Sequence, residues 1–176
     1  EACKDVGCVL IGGETAEMPG VYREGRVDLV GTIVGEVAED KIIDGKRDVK
    51  KGDIMIGLRS SGPHTNGYSF IRSLREAGKI DDAFCQNMGL LNPHRCYYHD
   101  IKKVQNANID IHALCHVTGG GLIENPLRVL PKDRKFRWKH FDIGETFKQI
   151  QKRSGINNFE MWRIFNCGIG MIIFVD

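Results

Sequence analysis

The sequence predicts an α+β fold. Apolar runs no longer than about six residues end in glycine turns, and amphipathic stretches with helical spacing lie between them. The two kinds of segment alternate without a clean strand–helix–strand rhythm. That irregularity favours a mixed sheet with packed helices over a doubly wound parallel sheet.

Taken in order, Cys8–Gly13 reads as a short buried strand running into a glycine pair, and Pro19-Gly20 as a turn. Val27–Val37 reads as a strand, because Leu29, Gly31, Ile33, Gly35 and Val37 alternate with Val30, Thr32, Val34 and Glu36. Asp44–Asp48 is a polar break and sets the expected division into residues 1–45 and 46–176. Lys50–Asp53 turns into a strand at Ile54–Leu58. A polar glycine turn, Ser60–Ser69, leads from it into a helix over 67–77. A polar stretch follows over 81–92, then a helical segment over 94–106. Ile109–Val117 alternates as a strand and feeds Gly119-Gly120-Gly121. Leu122–Val129 reads as a helix that Pro126 bends or ends. The 142–153 run is helical by the spacing of Ile143, Phe147 and Ile150. Another helix opens at Asn158, and Gly168–Val175 is the last strand.

Composition narrows the function. A net charge of +2 in 176 residues gives no general attraction to nucleic acid or membrane. Lys132–His140 is basic and aromatic, but Asp133 dilutes it, and it reads as a solvated strand or loop. No signal peptide or apolar span stands out. The six cysteines form no CxxC pair and read as reduced thiols of a cytoplasmic protein. Glycine is abundant, 21 of 176 residues, and its clusters lie beside polar residues rather than in linkers. Such clusters suit either tight turns or close approach of backbone to a phosphate. The sequence begins without Met and ends inside a strand-like run, which suggests a piece of a longer protein.

Neither a Walker loop nor a GxGxxG turn is present, so a nucleotide would need a different cradle. Three turns remain as candidates. In Ser60–Ser69, Pro63 fixes the backbone before His64, while Ser61, Thr65, Asn66 and Ser69 supply polar partners. Free N–H groups at the start of the next helix favour an anion. His64 is the candidate for moving a proton or stabilising charge, with a turn-capping role as the alternative. In Gly12–Glu17, two carboxylates three residues apart share a face if the segment is helical. They are candidates for Mg²⁺ or simply dipole-matched acids. In His116–Gly121, His116 beside Thr118 is a ligand-contact candidate. His112 and His116 sit four apart on a strand, about 13 Å at ~3.3 Å per residue, too far for one zinc. No metal site is expected from that pair.

Four collinear segments then carry a resemblance: Gly12–Gly20, Ser60–Ser69, His116–Gly121 and Phe165–Met171. Together they resemble the aminoimidazole ribonucleotide synthetase (phosphoribosylformylglycinamidine cyclo-ligase) family along essentially the whole chain. The resemblance implies a two-domain synthetase of about twice this length, a homodimer when complete. The chain would then be the end of the N-terminal, ATP-side domain plus most of the C-terminal domain. The implied reaction is ATP- and Mg²⁺-dependent ring closure of formylglycinamidine ribonucleotide. Position by position, it implies catalytic roles for His64 and Asn66. It implies contacts to a ribose 5-phosphate substrate for Ser61, Gly62, Thr65, Gly67, His116, Thr118, Gly119, Gly120, Gly121, Asn166 and Gly168. Gly12, Gly13, Glu14, Thr15 and Glu17 would border ATP, with Glu14 on Mg²⁺. The family more often carries Asn-Ile-Pro-Arg where this chain has Glu124–Arg128, which leaves Arg128 in question as a ligand contact. Other synthetases of the superfamily lack the Pro-His-Thr-Asn-Gly-Tyr string. The alternative from another class is a non-catalytic ligand-binding or interaction domain, and these 176 residues alone are expected not to turn over.

Overall fold

The computed structural model describes residues 1–176, which divide into two units, Glu1–Ile42 and Ile43–Asp176. The first unit holds one helical turn, α1 (Ala2–Asp5), a 3₁₀ turn at Glu39–Lys41, and otherwise no regular element. The strands expected at Cys8–Gly13 and Val27–Val37 do not form. Their apolar residues are exposed, with Ile11 at 95% and Leu29 at 99%. A strand is held by a ladder to a neighbour. The unit's one bridge, Pro19 to Tyr22, is isolated and involves neither segment. Gly12–Glu17 is likewise not helical, so Glu14 and Glu17 do not share a helix face.

The second unit is α+β, as the sequence predicts. Its elements are α2 (Gly45–Asp48), β1 (Ile54–Arg59), α3 (Tyr68–Glu76), α4 (Asp82–Asn87), α5 (Tyr98–Asn106), β2 (Ile111–His116), α6 (Gly121–Val129), α7 (Glu145–Ser154), α8 (Asn158–Ile164) and β3 (Ile169–Val175). Within that class the sheet, expected to be mixed, is antiparallel in both ladders, in the order β1-β3-β2. β3 takes the centre because its Ile-Gly-Met-Ile-Ile-Phe-Val run is apolar on both faces. Ile172 and Phe174 face a main core with Ile71 and Leu74 of α3, Leu122 of α6, Phe147 and Ile150 of α7 and Met161 of α8. Ile173 and Val175 face the opposite way, against Ile111, Leu114 and the α5 residues Ile101 and Val104. β1 is an edge strand, with Ile54 and Ile56 about half exposed.

Two segments read as polar turn out to be structured. Asp81 caps α4 by accepting the Phe84 N–H at 2.7 Å, which turns Phe84 and Cys85 inward. Gly45 of α2 is buried where a Cβ would overlap the Val129 carbonyl and the Ala113 methyl. Pro126 does not end α6, which continues to Val129. Proline denies the Leu122 carbonyl its intrahelical donor. The Trp138 indole N–H supplies one instead, at 3.2 Å. The basic Lys132–His140 stretch thereby has a packing role: Phe136, Trp138 and Phe141 lie against the core.

Candidate functional site

The site is built from two glycine turns and a short segment between them in sequence. The first turn joins β1 to α3. Ser61 is fixed at both ends: its hydroxyl donates to the Pro93 carbonyl at 2.8 Å and accepts the Arg95 N–H at 3.1 Å. Its own N–H donates to His64 Nε2 at 3.1 Å. Pro63 and His64 are buried, whereas Thr65 is exposed and Asn66 half-buried. His64 is held at φ 62, a left-handed conformation uncommon outside glycine. Gly67, at φ 83, opens α3 with no side-chain cap, and a Cβ there would run into the Phe165 ring.

Asn166 ties this turn to β3. Its Oδ1 accepts from the Ser60 hydroxyl at 3.0 Å and the Gly168 N–H at 2.9 Å. Its amide donates to the Gly62 carbonyl at 2.8 Å. The side chain is buried and its bonding is spent inside the protein. Gly168, at φ 88, packs close to the Ile143 carbonyl.

The second turn joins β2 to α6. Gly120 opens α6 at φ 97, again with no side-chain cap. Gly121 is obligatory for packing, because a Cβ there would overlap the Trp162 carbonyl. Asn125, buried, donates to the carbonyls of Thr118, Gly119 and Gly121 and accepts from the Thr118 hydroxyl. Arg128 donates to the Gly119 carbonyl at 3.0 Å and to Asn125 Oδ1 at 3.2 Å. Arg128 therefore buttresses the turn. The two turns meet, since a Cβ built on Gly119 would stand 3.6 Å from Asn66 Oδ1.

The third wall is Pro93–Tyr97, which the sequence reading passed over. His94 stacks on His64 with ring centroids 3.9 Å apart, and its Nε2 lies 3.1 Å from Nε2 of His116. Tyr97 donates to the Arg59 carbonyl at 3.0 Å, and burial pushes its hydroxyl up to about 12. Gly170 makes room for this cluster, because a side chain there would strike the Tyr97 hydroxyl and the His64 ring. The available signal was the recurrence of Pro-His at 63–64 and 93–94.

Burial, then repulsion from His94 and His116, lowers the His64 pKa to about 4. Burial also lowers those of His94 and His116. The rings are thus uncharged at neutral pH. Because the Ser61 N–H points at Nε2, the His64 proton sits on Nδ1, a buried donor with no acceptor in the structure. His112, on the same strand as His116, is instead buried against Asp53, Nδ1 to Oδ2 at 2.6 Å.

Gly12, Gly13, Glu14, Thr15 and Glu17 lie exposed in the first unit. Nothing lies within 4 Å of a Cβ built on Gly12 or Gly13. A cavity of about 930 Å³ lies between β1 and residues 133–141 and is lined by none of the expected site residues. A smaller one, about 210 Å³, opens beside Ser60, Ser61, Gly62 and Gly168.

Residues 50–176 match the family described as AIR synthase related protein, C-terminal domain. The chain belongs to this family. The AIR synthase related C-terminal domain takes in both glycine turns, the Pro93–Tyr97 wall and all three strands, and it places the chain in a superfamily whose members are generally ATP-using synthetases and kinases. No helix of the chain is long and apolar enough to cross a membrane.

Proposed function

We propose that this chain is the phosphate-binding part of an ATP-dependent cyclo-ligase that closes formylglycinamidine ribonucleotide to aminoimidazole ribonucleotide. One juxtaposition supports the reading. α3 and α6 begin beside each other, each at a left-handed glycine without a side-chain cap. Apart from the Gly121 N–H, which donates to the Thr118 carbonyl at 3.0 Å, the N–H groups of their first turns, with the helix dipoles, make a cradle for a phosphate ester. On this reading residues 1–45 are the end of the ATP-side domain, and the complete protein is a cytoplasmic homodimer that requires Mg²⁺.

Each residue then has a task. The first N–H groups of α3, and those of α6 that follow Gly121, bind the ribose phosphate, with the Thr65 hydroxyl and Asn66 amide at the rim. Gly67, Gly119, Gly120 and Gly121 let the backbone approach. Asn166, Asn125 and Arg128 are positioning residues that hold the turns. His64 Nδ1–H is the buried donor left for a substrate acceptor, where it stabilises developing negative charge. ATP supplies the activation of the amide oxygen, and no residue of this chain is assigned to it.

The test uses the full-length protein, with aminoimidazole ribonucleotide formation and ADP release followed together. Stoichiometric formation is expected, and His64→Ala should lower the rate at least ~10²-fold. Absence of product from the full-length protein, or an unchanged rate in the variant, overturns the reading. The exposure of Gly12–Glu17 favours a second reading, a domain that binds a phosphate ester without turnover. Ribose 5-phosphate binding with no ATP consumption in the full-length protein would support it.

A further inference from the structure

We propose that His64, His94 and His116 form a site for a divalent cation of the zinc class, with a fourth position open to an oxyanion. Their ligating nitrogens all lie within 4.8 Å of one another, and they are the one group of three or more ligating side chains in the structure. His94 Nε2 and His116 Nε2 are 3.1 Å apart. Two ligands on a tetrahedral ion stand about 3.4 Å apart when each bond is about 2.0–2.1 Å. The pair is thus already at the spacing of two ligands. His64 adds a ring 5% exposed whose Nδ1 has no partner.

The donor set selects the ion. Three neutral imidazoles without a carboxylate suit zinc, cobalt, nickel or copper, whereas magnesium and calcium want oxygen. Arg95 also acts on His64, but its guanidinium is paired with Asp100 at 2.9 Å. An ion held by three neutral ligands keeps its double positive charge. Its open position therefore favours hydroxide or a phosphate oxygen, beside the turn that opens α3.

Loading has a structural consequence. Imidazole lone pairs lie in the ring plane, so the His64–His94 stack, 19° from parallel, must open for both rings to reach one ion. A ligating neutral ring keeps its proton on the other nitrogen, so the Ser61 N–H bond to His64 Nε2 is exchanged or lost.

The site shares His64 with the cyclo-ligase reading, and a loaded ion would take the Nδ1 that the reading gives to substrate; the test contains neither ATP nor substrate, so its outcome is separate from that of the reading. Chelator-stripped protein is titrated with Co²⁺, then with Zn²⁺, while the visible spectrum and the Ser61 amide resonance are followed. One equivalent of Co²⁺ is expected with tetrahedral absorption bands, displaced by Zn²⁺, perturbed by inorganic phosphate and accompanied by movement of the Ser61 resonance. His94→Ala and His116→Ala each remove an exposed ligand without opening the core and should weaken binding at least ~10²-fold. His140→Ala should leave it unchanged. Absence of saturable binding, wild-type affinity in either the His94→Ala or the His116→Ala variant, or a thiolate charge-transfer band assigning the ion to a cysteine such as Cys96 overturns the proposal.

Discussion

The Asp53–His112 pair shows what one buried contact does to the pH response of the molecule. The hydrogen bond to Asp53 raises the His112 pKa against the opposing effect of burial. The Asp53 carboxyl lies below its ordinary value because, together, the His112 hydrogen bond, the Lys50 N–H and nearby positive charge outweigh burial, its largest single influence. A raised histidine stabilises the fold fully below its unfolded pKa, about 6.5, and loses that contribution as pH rises through the folded value. A lowered carboxyl contributes fully above about 3.9 and loses its share as pH falls through the folded value. The pair's contribution should be greatest between those limits, and urea melts across pH should show it in the wild type but not in His112→Gln. At pH 6, His112→Ala strands a buried carboxylate and should cost about 3 kcal/mol. Asn166 acts by position alone. Asn166→Ala releases Ser60, Gly62 and Gly168 together, so substrate KM should rise in the full-length protein, while Asn166→Asp, which keeps the acceptor, should preserve the Ser60 bond.

At the scale of elements, α6 depends on a residue outside it. Trp138→Phe keeps an aromatic ring near the core but removes the N–H that satisfies the Leu122 carbonyl. A loss of about 1–3 kcal/mol is expected in denaturant melts, the cost of an unmet buried carbonyl. No loss would mean that water replaces the indole. Much of the second unit was legible in sequence, because Ile71 and Leu74 or Phe147 and Ile150 recur at helical spacing and β3 is apolar throughout. α4 was hidden, since its six residues bury only Phe84 and Cys85 and its start depends on one aspartate cap. Val27–Val37 misled for the opposite reason. Alternation describes a strand's faces, but it cannot supply the neighbour that pairs with it. Of the site, the two glycine turns were visible as local chemistry. The meeting of His94 with His64 and His116 was not, because residues 30 and 22 positions away are joined only by the packing of the Pro93–Tyr97 segment.

On the scale of the molecule, every buried core residue belongs to the second unit. A chain beginning at Ile43 should therefore fold with the same cooperative melting transition as the 176-residue chain. A transition lowered by more than a few degrees would show that the first 42 residues contribute to its stability. The order β1-β3-β2 leaves β1 with only one strand partner, and Ile54 and Ile56 stand half-exposed on it. Lys50 and Lys51 before it and Arg59 at its end put positive charge at both ends of this edge. Such flanking charges discourage one sheet from adding to the next. The colloidal behaviour of the isolated domain is therefore tied to ionic strength. Added salt screens the lysines and arginine, shortening the shelf life of concentrated samples, while low salt or Ile56→Lys prolongs it.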